Sequence, residues 1–180
     1  MKPTDTHRAA LALGVFDALP PVLSRVLDGG QLRALPGFTL SLLSVDESGY
    51  PHTTLLSLGE IVAMPRAPAQ LQDEVRFGLW PSSRAVINLE RSQRGALTCV
   101  VEASFFQIQM ARVRRLPDAI GLACFAAQVE RVEAQRVVYA ELQSGITFAI
   151  AADAPGFDAA ELDARWAAQL AALRADASIP

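Results

Sequence analysis

Apolar and polar residues alternate most regularly between Phe38 and Met64, and the spacing predicts two long strands joined by a tight polar turn. Phe38, Leu40 and Leu42 alternate, after which the apolar set moves to Leu43 and Val45, the phase change expected of a bulge. Asp46, Glu47, Ser48 and Gly49 include no strand former, and the glycine supplies the positive φ that a hairpin turn needs. On the return strand Leu56, Leu58 and Val62 share one face; Thr53, Leu55, Ser57, Gly59 and Ile61 share the other. Short polar side chains and glycine in mid-strand suit a flat ligand lying against the sheet, and they suit a solvent-facing side equally.

Before this hairpin, Leu11, Val15 and Leu19 stand at helical spacing behind an Asp5 or Thr6 cap, predicting a helix over 5–19. Pro20 and Pro21 end or kink it, and Val22, Leu23, Val26 and Leu27 predict a second helix stopped at Gly29 and Gly30. After the hairpin, Val75, Phe77 and Leu79 alternate as a third strand, with Gly78 leaving room above the sheet. Ala85, Val86 and Leu89 form the apolar stripe of a helix that Gly95 closes. Along FFQIQMARVRRL the apolar set switches from Phe106, Ile108 and Met110 to Ala111 and Val113, predicting a second bulge. Leu122 to Val132 suits helix or strand by propensity, and its alternation favours strand; residues 146–150, ITFAI, are short and β-branched. Asp158 and Glu161 make a capping box for a closing helix with Leu162, Trp166, Leu170 and Leu173 on its stripe. The fold class is therefore mainly β, a small closed barrel with flanking helices. One domain over 1–180 is expected, with helices in 1–35, a barrel over 36–151 and a helix over 157–175.

Composition narrows the function classes. With 51% hydrophobic and 19% charged residues and a net charge of -3, neither a disordered chain nor a nucleic-acid-binding one is indicated. Arg112, Arg114 and Arg115 accordingly read as a solvated edge or as ion-pair partners. Lys2 is the only lysine, so an anion clamp has to use arginine or backbone N–H groups. Cys99 and Cys124 lie in apolar surroundings without metal-ligand spacing and read as buried thiols of a reducing cytosol. No apolar run approaches the length of a membrane span, and Asp17, Pro20 and Pro21 interrupt the N-terminal stretch that might imitate a signal peptide, so a cytoplasmic protein is expected. His7 and His52 are the only histidines, which argues against a multi-histidine metal site or a Ser-His-Asp triad. His52, at the start of a strand, is a minor candidate for ligand contact.

The candidate chemistry centres on Ser82, Ser83 and Arg84, between the third strand and a helix. The first turn of a helix exposes unpaired N–H groups at the positive end of its dipole, and two hydroxyls and a guanidinium stand beside it here. A phosphate suits such a place. The same triplet also reads simply as an N-cap serine followed by a solvated arginine.

Gly49-Tyr50-Pro51-His52 entering a long strand, a further strand, Ser-x-Arg-x-x-x-Asn-Leu over Ser82 to Leu89, and another long hairpin resemble the pyridoxamine 5'-phosphate oxidase-like FMN-binding split barrels over about residues 36 to 151. The match lies in the order and spacing of elements. It implies a split barrel that binds FMN at the interface of a homodimer, the phosphate on the second strand and helix start, the ring along the second and third strands. By position it implies cofactor contacts from Thr53, Thr54, Leu55 and Ser57, from Gly78 and Leu79, and from Ser83, Arg84 and Asn88. The pattern departs from the vitamin B6 oxidases where Thr54 replaces a strand arginine and Ala85 a lysine, and the C-terminal segments that grip pyridoxal phosphate are replaced by an Ala-rich helix. The implied activity is thus FMN-dependent oxidoreduction of some other small molecule. A non-catalytic flavin-binding module, a haem- or deazaflavin-binding relative and a cofactor-free structural dimer remain open. The dimer is expected to cover Trp80, Phe105, Phe106 and the small-residue face of the second strand.

Overall fold

A computed structural model describes residues 11–64, 72–151 and 158–175. The elements in chain order are β1 (Leu11–Phe16), α1 (Pro21–Val26), β2 (Thr39–Val45), β3 (Pro51–Ser57), a 3-10 turn (Leu58–Glu60), β4 (Ile61–Met64), β5 (Glu74–Leu79), α2 (Arg84–Ser92), β6 (Gly95–Val101), β7 (Ser104–Arg115), β8 (Ala123–Val137) and α3 (Ala159–Arg174). The strands form one eight-stranded sheet in the order β3-β2-β6-β7-β8-β5-β4, with β1 also on β8. All its pairings are antiparallel. The fold is mainly β, a curled half-barrel with three flanking helices. The edge strands β3 and β4 are not hydrogen-bonded neighbours, although only the short 3-10 turn separates them in sequence. The barrel is split there rather than closed.

Four elements differ from expectation. The helix over 5–19 is replaced, within the described residues, by β1, whose backbone pairs with β8 from Leu11↔Val137 to Phe16↔Val132. The phase change at Leu42/Leu43 is no bulge: β2 and β3 pair without a break from Thr39↔Ser57 to Val45↔Pro51, and Leu43 simply faces the other side of the sheet. Helix α2 is closed by Gln93 in the left-handed region (φ 52), while Gly95 already belongs to β6. Residues 146–150 form no strand, only a single bridge between Thr147 and Phe38. The bulge in β7 is present, with register shifts at Gln109/Met110 and between Ala111 and Arg114 and a positive φ at Arg112.

The main core fills the hollow of the sheet, with Phe77 and Phe125 stacked at 5.7 Å between ring centroids. A second cluster places Leu170 and Leu173 of α3 against Val62, Leu122, Cys124 and Ala126. Burying each such leucine contributes about 1.5–3 kcal/mol, which is what holds α3 on the sheet. Strand β5 is consequently buried on both faces. Its Arg76 donates to Glu74 (2.7 Å) and to the carbonyls of Leu173 (3.1 Å) and Ala175 (2.9 Å) at the end of α3.

Candidate functional site

Asp46 builds the tip of the β2–β3 hairpin. Its Oδ1 accepts from the backbone N–H groups of Ser48 and Tyr50, both at 2.9 Å, and its Oδ2 lies 3.0 Å from His52 Nε2. The hydrogen bond to His52, with those from the backbone, holds the carboxyl below its ordinary value. Gly49 takes the positive φ (87°) that the sequence predicts for it. His52 is thereby a clamp of the turn.

Among the described residues strand β3 pairs only with β2, so its outer backbone edge is available to a ligand. Thr54 lies on the same face as Leu56, Leu40 and Leu42, toward the hollow of the sheet; Thr53, Leu55 and Ser57 lie on the opposite face. The four strand residues implied as cofactor contacts therefore divide between two faces and meet only along the edge. Ser57 is partly committed elsewhere: its N–H and Oγ each donate to Glu60 Oε2 at 2.9 Å, closing the 3-10 turn. That turn also removes Leu58, Gly59, Ile61 and Val62 from the return strand, and all four are buried.

Helix α2 packs against β2 and β3. Ser83 is its N-cap, with Oγ accepting from Ala85 N at 3.3 Å. Arg84 is exposed and has neither a hydrogen bond nor an ion pair among the described residues. Asn88 is buried and donates to Ser44 Oγ at 3.1 Å, while Arg91 reaches Val45 O at 2.5 Å. These two contacts hold the middle and the last turn of α2 on β2. Asn88, one helical turn on from Arg84, pins the helix to the sheet, and its amide is committed to Ser44.

The third-strand residues behave differently. Gly78 and Leu79 are buried, and a Cβ on Gly78 would overlap the Leu122 side chain, so the room above that glycine is already filled. Neither lends surface to a ligand in the single chain. Sequence reasoning missed Ile87, which is 69% exposed on the same outward face of α2 as Arg84, and Tyr50, exposed at the hairpin tip. An isoleucine three positions after Arg84 on an otherwise polar helix face was the available signal. Phe106 is buried in the core, whereas Trp80 is exposed directly before the Ser-Ser-Arg triplet. Arg114 pairs with Glu74 at 3.2 Å, and Arg115 with Glu90 and Asp118, each at 2.7 Å. Cys99 and Cys124 are free and buried. Among the described residues no helix is long and apolar enough to cross a membrane, and no group of His, Cys, Asp or Glu gathers as metal ligands.

No family model matches the chain. The uncharacterized protein YclD of Bacillus subtilis is 28% identical over 127 residues, spanning 69% of this chain and 79% of that protein. Among solved structures, a proposed 5-nitroimidazole antibiotic resistance protein from Bacteroides thetaiotaomicron aligns with a TM-score of 0.43 and 10% identity, over 69% of this chain and 90% of its own. An FMN-binding domain of a flavin reductase-like enzyme from Shewanella baltica aligns with a TM-score of 0.41 and 10% identity, over 69% and 78%.

Proposed function

We propose that the protein binds FMN where two copies of the chain meet, and that it acts as an FMN-dependent oxidoreductase on a small molecule. The observation that carries this reading is the start of α2, where the exposed Arg84 guanidinium stands beside the serine-capped first turn of a helix that packs against β2 and the edge strand β3. The donor set fits a phosphate: a bidentate guanidinium, the Ser83 hydroxyl hydrogen and the positive end of a helix dipole. The free edge of β3 offers backbone groups to the polar rim of a flavin. Across the outward sheet face, Leu55, Ser41, Thr98, Gln107, Glu133 and Val15 lie in one cross-strand row. This surface of mostly short or uncharged side chains, with Trp80 and Tyr50 exposed elsewhere on the chain, suits contact with a second copy. When bound, the flavin supplies the redox chemistry; the chain's own residues bind and orient it and exclude water.

The test is the visible spectrum of the purified protein, followed by FMN titration of wild type and Arg84→Ala. A charge-assisted hydrogen bond contributes about 1.5–3 kcal/mol, so Arg84→Ala should weaken FMN roughly 10- to 100-fold while leaving riboflavin binding unchanged. Equal FMN affinity in the two proteins would remove Arg84 from the phosphate, and absence of flavin binding by wild type would overturn the cofactor assignment. Sedimentation showing only single chains at micromolar concentration would overturn the shared site.

A further inference from the structure

We infer that a second binding site, distinct from the flavin site, lies between α1 and the β6–β7 turn and takes an uncharged, largely apolar small molecule with its polar atoms at one end. The cavity measures about 510 Å³, within the range of small-ligand pockets. None of the residues assigned above to FMN lines it. Its floor is apolar, formed by Val22, Val26, Phe38 and Val101. At the mouth, Leu35 and Ile146 are 36% and 54% exposed, large aliphatic groups that an occupant would cover.

Charge decides the ligand class. The charged side chains lining the cavity are Arg25 and Glu102, which face each other at 3.6 Å. The pair leaves no net charge to attract an ion. Uncharged hydrogen-bonding side chains in the lining are Gln31, Gln143 and Ser144, with Thr39 left as an acceptor because its hydroxyl already donates to Gly37 O at 3.2 Å.

Residues 139–151 are all exposed, and the segment is fastened near Gly37 by Phe148 N donating to Gly37 O at 3.2 Å and by the Phe38↔Thr147 bridge. Gly37 has a positive φ (80°), and a Cβ there would overlap the Phe148 carbonyl, so the fastening point is specified by that glycine. Gln143 to Ile146 line the cavity just before this point, and Thr147 lines it at the bridge itself.

The experiment titrates the full chain, with FMN present, using Nile red, an uncharged dye that brightens and shifts to the blue in apolar surroundings. Saturation at one dye per chain is expected, and Ser144→Trp and Gly145→Leu, both on the exposed wall, should each weaken it at least 10-fold. Arg84→Ala should leave it unchanged. Unsaturable binding, or wild-type affinity in both wall variants, would overturn the site. Tighter binding of the anionic dye anilinonaphthalene sulfonate, lost in Arg25→Gln, would overturn the uncharged ligand class. Loss of Nile red in Arg84→Ala would place the dye in the flavin site and overturn the second one. If flavin binding itself fails, the same titration still reads this cavity.

Discussion

Replacing Arg76 with methionine tests how α3 is held, because the substitution keeps the length of the side chain and removes every donor. Arg76 and Glu74 are 8% and 7% exposed. Without the guanidinium, the buried Glu74 carboxylate keeps, among the described residues, only Arg114 as a cation, at 3.2 Å, whose own side chain is 46% exposed and therefore well screened. Two carbonyls at the end of α3 lose their donor as well. Breaking a buried pair from one side costs about 3–5 kcal/mol, a large share of the roughly 5–15 kcal/mol that stabilises a domain. With a urea m-value of about 1–3 kcal/mol/M, the unfolding midpoint followed by far-ultraviolet circular dichroism should fall by roughly 1–5 M. Most of that loss comes from the stranded charge, so Glu74→Gln combined with Arg76→Met should recover at least half. A single variant within about 1 kcal/mol of wild type, or a double variant as unstable as the single, would refute this account.

Other expectations follow from the same packing. A Cβ on Gly59 would overlap Trp166, so Gly59→Ala should cost about 1–3 kcal/mol by overpacking, and Trp166→Leu in the same chain should relieve part of it; thermal melts of the three variants decide this. The Asp46 carboxyl is held below its ordinary value of 3.8, so the stability it contributes is present at neutral pH and is lost as pH falls through its folded value. The urea midpoints of wild type and Asp46→Asn should therefore converge only below about pH 4. Burial pushes the Cys99 thiol up to about 12 and raises Cys124 also, so both should react with a disulfide reagent at pH 8 only as fast as the chain opens, and addition of urea should accelerate the reaction.

Local chemistry made much of this fold legible. Gly49 and the acidic turn marked the first hairpin, Ser83 and Asp158 marked helix starts, and the apolar shift after Met110 marked a real bulge. Strand β1 escaped because Leu11 and Val15 are four apart, a spacing that a helical face and one side of a strand share. Leu13 between them was the discriminating residue, since it continues the alternation. Gly78 misled for another reason: a glycine announces space, but what fills it, Leu122, comes from a segment 44 positions away that only the fold brings near. Asn88 was legible as a polar residue on α2 but not by direction, because its partner Ser44 lies on β2. Of the candidate site, the cap and the exposed arginine followed from the triplet itself and the division of β3 between two faces from its alternation, while the commitment of Ser57 to Glu60 depended on where the strand stops.

The stop at Ser57 also settles the shape of the sheet. Six steps of about 4.8 Å separate the first and last strands of the seven-strand ladder, so a flat sheet would hold β3 and β4 roughly 29 Å apart. The chain passes from Ser57 to Ile61 through Leu58–Glu60 and reaches at most about 14 Å. The curl is therefore imposed by a covalent tether across the seam and does not depend on strand twist alone. Chain length at that link acts as a ruler: each residue inserted there would let the seam gape by up to about 3.5 Å, whereas insertions at the Asp46–Tyr50 tip leave the circumference untouched.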